Sequence, residues 1–265
     1  MARVLRSLGS VLVAYSGGVD SVFLAHEAVR VLGPARTLAV TGISPSVATE
    51  QRHTAATVAR RFGIPWRRLW TREMEDPRYV ANDGRRCYHC KTELYGRLVR
   101  LAPTWGYAAV LDGANADDAE DYRPGARAAV EHGVRSPLRE AGLGKGDVRS
   151  LSRRSGLPTW DAPASPCLAS RLAYGLEVTE ERLSQVERAE RVLREMGERG
   201  DLRVRHHGAA ARIELAPGEL ARWGDVRRCR RAFRDLRSLG FERVLLDLEG
   251  YRRGSLNRAL VSIDS

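Results

Sequence analysis

The sequence predicts an α/β protein in two parts, a parallel-sheet domain over residues 1–165 and a smaller α/β domain over residues 166–265. Three observations lead there. Short apolar runs at Val11–Tyr15, Thr37–Gly42 and Trp66–Trp70 alternate with helix-length stretches, the pattern of parallel strands joined by crossover helices. The segment Leu157–Arg171 holds three prolines and cannot form one regular element, so it reads as the hinge between domains. The last third then reads helix, strand, strand, helix, strand.

The first strand stops at Ser16-Gly17-Gly18-Val19-Asp20-Ser21 and continues into an apolar helix from Val22. Glycines there let the backbone approach an oxyanion, and the N–H groups of a helix start point at it. Ser16 and Ser21 add hydroxyl donors. The loop lacks the Gly-Lys-Ser/Thr ending of a Walker loop, so it brings no lysine of its own, and its neutral donors suit a pyrophosphate held with Mg²⁺. An ordinary glycine-rich turn is the plainer alternative.

Gly33-Pro34 ends that helix and Thr37–Gly42 is the second strand. Ser46 is expected to cap a helix running through Val47, Ala55, Val58, Ala59 and Phe62 to Gly63. Trp66–Trp70 is the third strand. Residues 71–86 read as a long irregular loop that delivers Cys87-Tyr88-His89-Cys90, after which Leu94, Leu98 and Leu101 mark a helix. Ala108–Leu111 is the next strand and runs into Asp112-Gly113-Ala114-Asn115-Ala116-Asp117-Asp118. That turn and Thr41–Ser44 fall at the same sheet edge as the Ser16 loop, where parallel sheets bind ligands. A helix starts near Lys145, carries Val148, Leu151 and Ser152 on one face, and stops at Gly156.

Beyond the hinge, Thr179 caps a helix with Glu180 and Glu181 in its first turn and Leu183, Val186, Ala189, Leu193 and Met196 at helical spacing. Leu202–His206 and Ala211–Leu215 are strands flanking a His207-Gly208 turn, Leu220–Leu239 is helical, and Val244–Leu248 is the last strand.

With 265 residues and 43% hydrophobic content, the chain has material for two cores. No run nears the roughly 18 apolar residues of a membrane span, and Met1–Ser7 lacks a signal-peptide core, so the chain reads as cytoplasmic with no membrane partner. The net charge of +11, from 44 Lys and Arg against 33 Asp and Glu, favours anionic partners without choosing between nucleotides and RNA. The densest basic run, Arg227–Arg231, lies in an amphipathic helix and reads first as a solvated face.

Four cysteines are too few for a disulfide scaffold. Cys87 and Cys90 alone suit half a zinc site, a redox pair or a cluster motif. Adding Cys167 gives three thiolates, enough to hold a [4Fe–4S] cluster by three irons and leave the fourth open for an extra sulfide. The alternative is that the pair binds zinc or nothing and Cys167 is simply buried. Cys229 falls at core spacing with Val226 and Phe233. His206 and His207 read as turn residues rather than metal ligands.

Ser16-Gly17-Gly18-Val19-Asp20-Ser21 resembles the signature of the PP-loop ATP pyrophosphatases, which cleave ATP between the α and β phosphates and leave AMP on the substrate. Within that superfamily, several segments are similar to the LarE sulfur transferases. They are Pro163–Arg171, the Asp112–Asp118 turn with Tyr122–Gly125 after it, Arg203–Gly208, Ala211–Glu214 and Asp247–Arg252. The resemblance runs from Ser16 to Ser255, and the Cys167 segment and the C-terminal motifs are its most specific parts.

The resemblance implies a PP-loop fold of the adenine-nucleotide α-hydrolase type, with a C-terminal domain for substrate binding and oligomerisation. It implies adenylation of a carboxylate of pyridinium-3,5-biscarboxylic acid mononucleotide and its conversion to a thiocarboxylate, a step toward the nickel-pincer nucleotide. Some members spend the sulfur of the cysteine matching Cys167. Others hold a cluster on three cysteines, and Cys87 and Cys90 place this chain with the cluster type.

The implied cofactors are ATP, Mg²⁺ and [4Fe–4S]; the implied partners are the pyridinium nucleotide, a sulfide donor and copies of the same chain. ATP falls to Ser16, Gly17, Gly18, Val19, Asp20, Ser21, Thr41 and Gly113, with Thr41–Ser44 walling the adenine. Asp20 and Asp118 suit Mg²⁺ and Lys145 the phosphates, with turn chemistry or a helix start as the plainer readings of Asp118 and Lys145. Arg171, Arg205, Arg212 and Arg252 suit a substrate bearing a phosphate and two carboxylates, and Glu214, on the same strand face as Arg212, is expected to line the pocket with it; an exposed salt-bridged strand is the plainer reading of Arg212 and Glu214. A PP-loop tRNA thiolase and an ATP-binding regulator remain rivals; no added RNA-binding module is evident, which argues against nucleic acid.

Overall fold

The computed structural model describes residues 1–119, 124–163 and 165–252, and the chain divides into two compact units. Tyr122, Arg123, Ala164 and Ser255, which belong to the motifs above, lie outside the described residues. The first unit comprises residues 1–79 and 85–165, the second residues 80–84 and 166–265.

In the first unit, helices and strands alternate: α1 (Ala2–Leu8), β1 (Val11–Ala14), α2 (Val19–Leu32), β2 (Thr37–Ile43), α3 (Thr49–Arg61), β3 (Trp66–Trp70), α4 (Pro77–Val80), α5 (Arg86–Thr104), β4 (Ala109–Leu111), α6 (Pro124–Glu131), α7 (Pro137–Glu140) and α8 (Lys145–Arg154). The strands form a parallel sheet in the order β3-β2-β1-β4, with Leu12 opposite both Leu38 and Val110. β1 is buried throughout, which is why it reads as an unbroken apolar run.

Alternation along β1 feeds two cores. Val11 and Val13 join Val22, Leu24, Ala55 and Val148 on one face, whereas Leu12 and Ala14 join Tyr95, Leu98 and Ala128 on the other. Each fully buried Leu or Val there contributes about 1.5–3 kcal/mol over its exposed state. The sheet therefore places the β1–α2 loop and the β4 turn at its C-terminal edge.

The second unit contains α9 (Glu180–Glu195), β5 (Leu202–His207), β6 (Ala210–Leu215), α10 (Val226–Arg237) and β7 (Arg243–Leu246). β5 and β6 are antiparallel, pairing Arg205 with Arg212, and β6 and β7 are parallel. Leu193, Val204, Ile213, Trp223, Leu236 and Phe241 fill the core. Thr179 caps α9, its hydroxyl accepting from Arg182 N at 3.3 Å.

Several expectations are corrected. α3 begins at Thr49 with no side-chain cap, and Ser46 instead hydrogen-bonds the Tyr79 hydroxyl inside the unit. Residues 71–86 are not one irregular loop: a 3₁₀ turn at Glu73–Glu75 and α4 occupy half of it, and α5 starts early enough to include the cysteine pair. The helix expected over Leu220–Leu239 is broken, a 3₁₀ turn over Pro217–Gly224 giving way to α10 at Asp225, whose carboxylate accepts from Arg227 N at 2.8 Å. A carboxylate cap is a start signal, and it outweighs the continuous apolar spacing. β7 lies two residues earlier at its C-terminus than expected. His206 and His207 belong to β5 rather than to the turn.

Candidate functional site

The loop after β1 is built by its own hydroxyls. Ser16 N donates to Ser21 Oγ at 3.2 Å, Ser21 Oγ donates to Gly18 O at 3.1 Å, and Gly18 N donates to Ser16 Oγ at 3.3 Å. Gln51 on α3 braces the loop by donating to Ser16 O at 3.1 Å. Gly17 adopts φ +80°, and an added Cβ would stand 2.9 Å from Ala55 Cβ, so both conformation and space require glycine. The first helical bond of α2 runs from Val22 N to Gly18 O at 3.0 Å. The N–H groups of Val19, Asp20 and Ser21 therefore precede the helix's own ladder and present a positive end to an anion.

The turn after β4 passes close beneath this helix start. A Cβ on Gly113 would lie 3.0 Å from Ser21 N and 3.3 Å from Asp20 Cβ. Asn115 Nδ2 donates to Asp20 Oδ1 at 3.3 Å, and Lys145 Nζ pairs with Asp118 Oδ1 at 3.3 Å. Lys145 reaches that position because Asp117 caps α8, accepting from Lys145 N at 2.8 Å. Lys145 thus begins a helix and presents a cation at once. Burial raises the Asp20 carboxyl above its ordinary pKa; the Asn115 bond offsets part of this, Asp118 adds to it, and Lys145 and Arg149 oppose it.

The Thr41 hydroxyl donates to Tyr15 O at 2.7 Å and accepts from Trp66 Nε1 at 2.8 Å, so the side chain fastens β2 to its neighbours. Ser44 is likewise buried.

Cys87 is exposed and Cys90 half-buried, both within the first five residues of α5 and three residues apart, which puts them on one face. None of the four cysteines is in a disulfide. Cys167 precedes a 3₁₀ turn at Leu168–Arg171 in the second unit. Within neither unit do three or more His, Cys, Asp or Glu side chains among the described residues stand together as a metal site. The α5 pair has the exposure and spacing to supply two thiolates to a cluster, leaving further ligands to come from elsewhere.

In the second unit, Glu214 is fully buried between two guanidiniums. Arg205 Nε donates to Glu214 Oε2 at 2.8 Å and Arg212 donates to Oε1 at 3.0 Å, while Arg212 also lies 3.7 Å from Asp247. The ion pairs of this strand are internal, not the exposed salt-bridged strand that was the plainer expectation. Arg171 is also buried and engaged with Glu190. Arg252 pairs with Glu249. Arg212 and Arg252 keep about a third of their side chains open, 31% and 37%.

His206 Nε2 donates to Gln185 Oε1 at 2.9 Å, an assignment fixed because the Gln185 amide nitrogen donates to Leu239 O at 3.0 Å. Burial lowers the His206 pKa to about 4. Cys229 packs beside the core and its thiol donates to Trp223 O at 3.1 Å.

Sequence reasoning missed Asn115, Asp117 and Glu190. Asn115 and Asp117 lay inside a quoted motif, so their neighbourhood was visible though their partners were not. Glu190 sits mid-helix among other charges, and nothing in the sequence separates it from a solvated residue. A buried group at the end of β4 was missed as well: Asp112 accepts from Ser136 Oγ at 2.7 Å and Tyr95 OH at 3.0 Å.

The chain is similar over nearly its whole length to three curated proteins. It is 39% identical over 261 residues to the pyridinium-3,5-bisthiocarboxylic acid mononucleotide synthase of Lactiplantibacillus plantarum, covering 98% of this chain and 93% of that protein. It is 46% identical over 253 residues to an uncharacterized protein of Synechocystis, covering 96% and 94%. It is 27% identical over 242 residues to an uncharacterized protein of Methanocaldococcus jannaschii, covering 91% and 90%. No protein-family model matches the chain.

Proposed function

Because this chain belongs to the family of the pyridinium-3,5-bisthiocarboxylic acid mononucleotide synthases, the LarE sulfur transferases, we propose that it performs their reaction. It adenylates a carboxylate of pyridinium-3,5-biscarboxylic acid mononucleotide with ATP and replaces the activated oxygen with sulfur, in nickel-pincer nucleotide biosynthesis. The observation that carries this reading is the 39% identity to the named synthase across 98% of the chain.

The first unit is suited to the adenylation. A substrate carboxylate oxygen attacks the α-phosphorus of ATP, the bond to the bridging oxygen breaks, and pyrophosphate leaves with the electron pair. The Ser16–Ser21 loop and the α2 N-terminus receive the anionic leaving group. Lys145 brings a positive charge to the same edge. Mg²⁺, where bound, balances the pyrophosphate charge. Asp20 and Asp118 are the residues to hold it, and the fit is electrostatic: a carboxyl whose burial favours protonation is one that a divalent cation would return to the ionised form.

In the second step a sulfur nucleophile attacks the acyl carbon and AMP departs, leaving the thiocarboxylate. Cys87, Cys90 and Cys167 are the residues to hold a [4Fe–4S] cluster, which would supply that sulfur. We assign the anionic groups of the substrate to Arg212 and Arg252, whose side chains remain open, with Arg205 and Glu214 fixing Arg212 from behind. A sulfide donor and self-assembly complete the proposal. Among the described residues no helix is long and apolar enough to cross a membrane.

Mass spectrometry of reactions with ATP, a sulfide source and either the dicarboxylate nucleotide or bulk tRNA tests the reading. Replacement of oxygen by sulfur in the nucleotide supports it. Sulfur gained only by tRNA overturns it in favour of a thiolase.

A further inference from the structure

Arg171 donates in two directions at once. On one side Nε and a terminal nitrogen form a fork with Glu190 of α9, at 3.0 and 3.2 Å. On the other, the second terminal nitrogen donates to the carbonyls of Pro166 and Cys167, the latter at 3.0 Å, and lies 3.2 Å from Ser170 Oγ. Cys167 O is held three times over, since Ser170 N donates to it at 3.0 Å and Ser170 Oγ at 2.7 Å. Glu190 is itself anchored, because its Oε1 also accepts from Val204 N on β5 at 3.1 Å. Arg205 extends the frame by donating to Ser170 O at 3.0 Å.

We propose that Arg171 and Glu190 are a positioning pair whose task is to fix the Cys167 main chain and so aim its thiol, rather than to bind substrate. The inference rests on the reading of Cys167 as the sulfur-site cysteine. Four of the guanidinium's five N–H groups are committed, and only 3% of the residue is exposed, so it has little to offer an incoming anion. What it does offer is a planar fork that joins a carboxylate and two carbonyls in one rigid unit, which an ammonium cannot reproduce. With its carbonyl pinned and the preceding residue, Pro166, fixed in φ, Cys167 keeps mainly the rotation about its own Cα–Cβ bond. Placement errors of about 1 Å cost on the order of 100-fold in rate, so such a frame is worth its buried charges.

The test uses the full-length chain carrying Arg171→Lys and, as the gentler variant, Glu190→Gln, which preserves shape. In iron-stripped protein, alkylation of individual cysteines is followed by mass spectrometry, with Cys229 in the same unit as internal control. The expectation is that Cys167 reacts roughly tenfold faster in Arg171→Lys while Cys229 is unchanged, as a local opening requires. Thiocarboxylate formation falls about 100-fold while the KM for the nucleotide moves less than about twofold, because the placement of sulfur and not the binding of substrate is lost. Equal acceleration at Cys167 and Cys229, an unchanged Cys167, or a rise in KM with kcat retained overturns the positioning role. Failure of the underlying reading looks different: Cys167→Ala would then form thiocarboxylate at the wild-type rate.

Discussion

Replacing Asp20 by Asn separates what this side chain does for the fold from what it does for the reaction. Asp20 stands in the first turn of α2, where a negative charge gains about 0.3–1 kcal/mol from the helix dipole, and accepts one hydrogen bond from Asn115. Against this, burial holds its pKa above the ordinary value, and every tenfold rise in proton affinity corresponds to about 1.4 kcal/mol. The sign follows directly. An acid with a raised folded pKa contributes stability at low pH that is lost as pH climbs from its unfolded value through the folded one. At neutral pH the ionised carboxylate is therefore a small liability in the empty protein.

Asp20→Asn should leave the ligand-free protein as stable as wild type or up to about 1 kcal/mol more stable, a rise of roughly 2–4 °C in Tm. Substrate-dependent pyrophosphate release should fall by about 100- to 1000-fold, because the cation that Asp20 would hold is what balances the charge developing on pyrophosphate. Calorimetry and a coupled pyrophosphate assay read the two effects. Wild-type pyrophosphate release, or a loss of more than about 1 kcal/mol in the ligand-free protein, would refute the reasoning.

Cys167→Ala is expected to stop thiocarboxylate formation while substrate-dependent AMP formation survives, as parallel product analysis would show. Anaerobically purified protein should be brown with about four irons per chain; stoichiometric zinc in colourless reconstituted protein would count against the cluster. Glu214→Ala removes the buried carboxylate that Arg205 and Arg212 share and should cost about 3–5 kcal/mol, read by urea unfolding through Trp223, the second unit's one tryptophan. His206 is neutral when folded, so its share of stability is full above its unfolded pKa near 6.5 and is lost as pH falls toward about 4. His206→Gln should flatten the acid limb of a Tm-versus-pH curve.

The parts of the fold that were legible in the sequence are those whose chemistry is local. β1 is buried on both faces, so it had to be an unbroken apolar run, and the glycine turn had to follow because Gly17 has neither the φ nor the space for a side chain. Thr179 announced α9 for the same reason: a cap acts on the residues next to it. The roles of Arg171, Arg205 and Glu214 were not legible, because a charged residue looks the same in sequence whether it faces water or a buried partner. Arg171 meets its carboxylate 19 residues later, and Glu214 meets Arg205 across a strand pair. Thr41 lay at the expected sheet edge yet faced inward, a matter of which side of the pleat its position occupied.

Residues 80–84 belong to the second unit although they are flanked on both sides by the first. Asn82, fully buried and at φ 56°, donates its side-chain amide to the carbonyls of Ala173 and Leu176, both at 2.7 Å and more than 90 positions downstream. A ribosome adding about 5–20 residues per second makes the acceptors roughly 5–20 s after the donor. The five residues of this strap therefore wait for partners that have yet to be translated, and a chain released before Ala173 lacks both carbonyls that Asn82 meets.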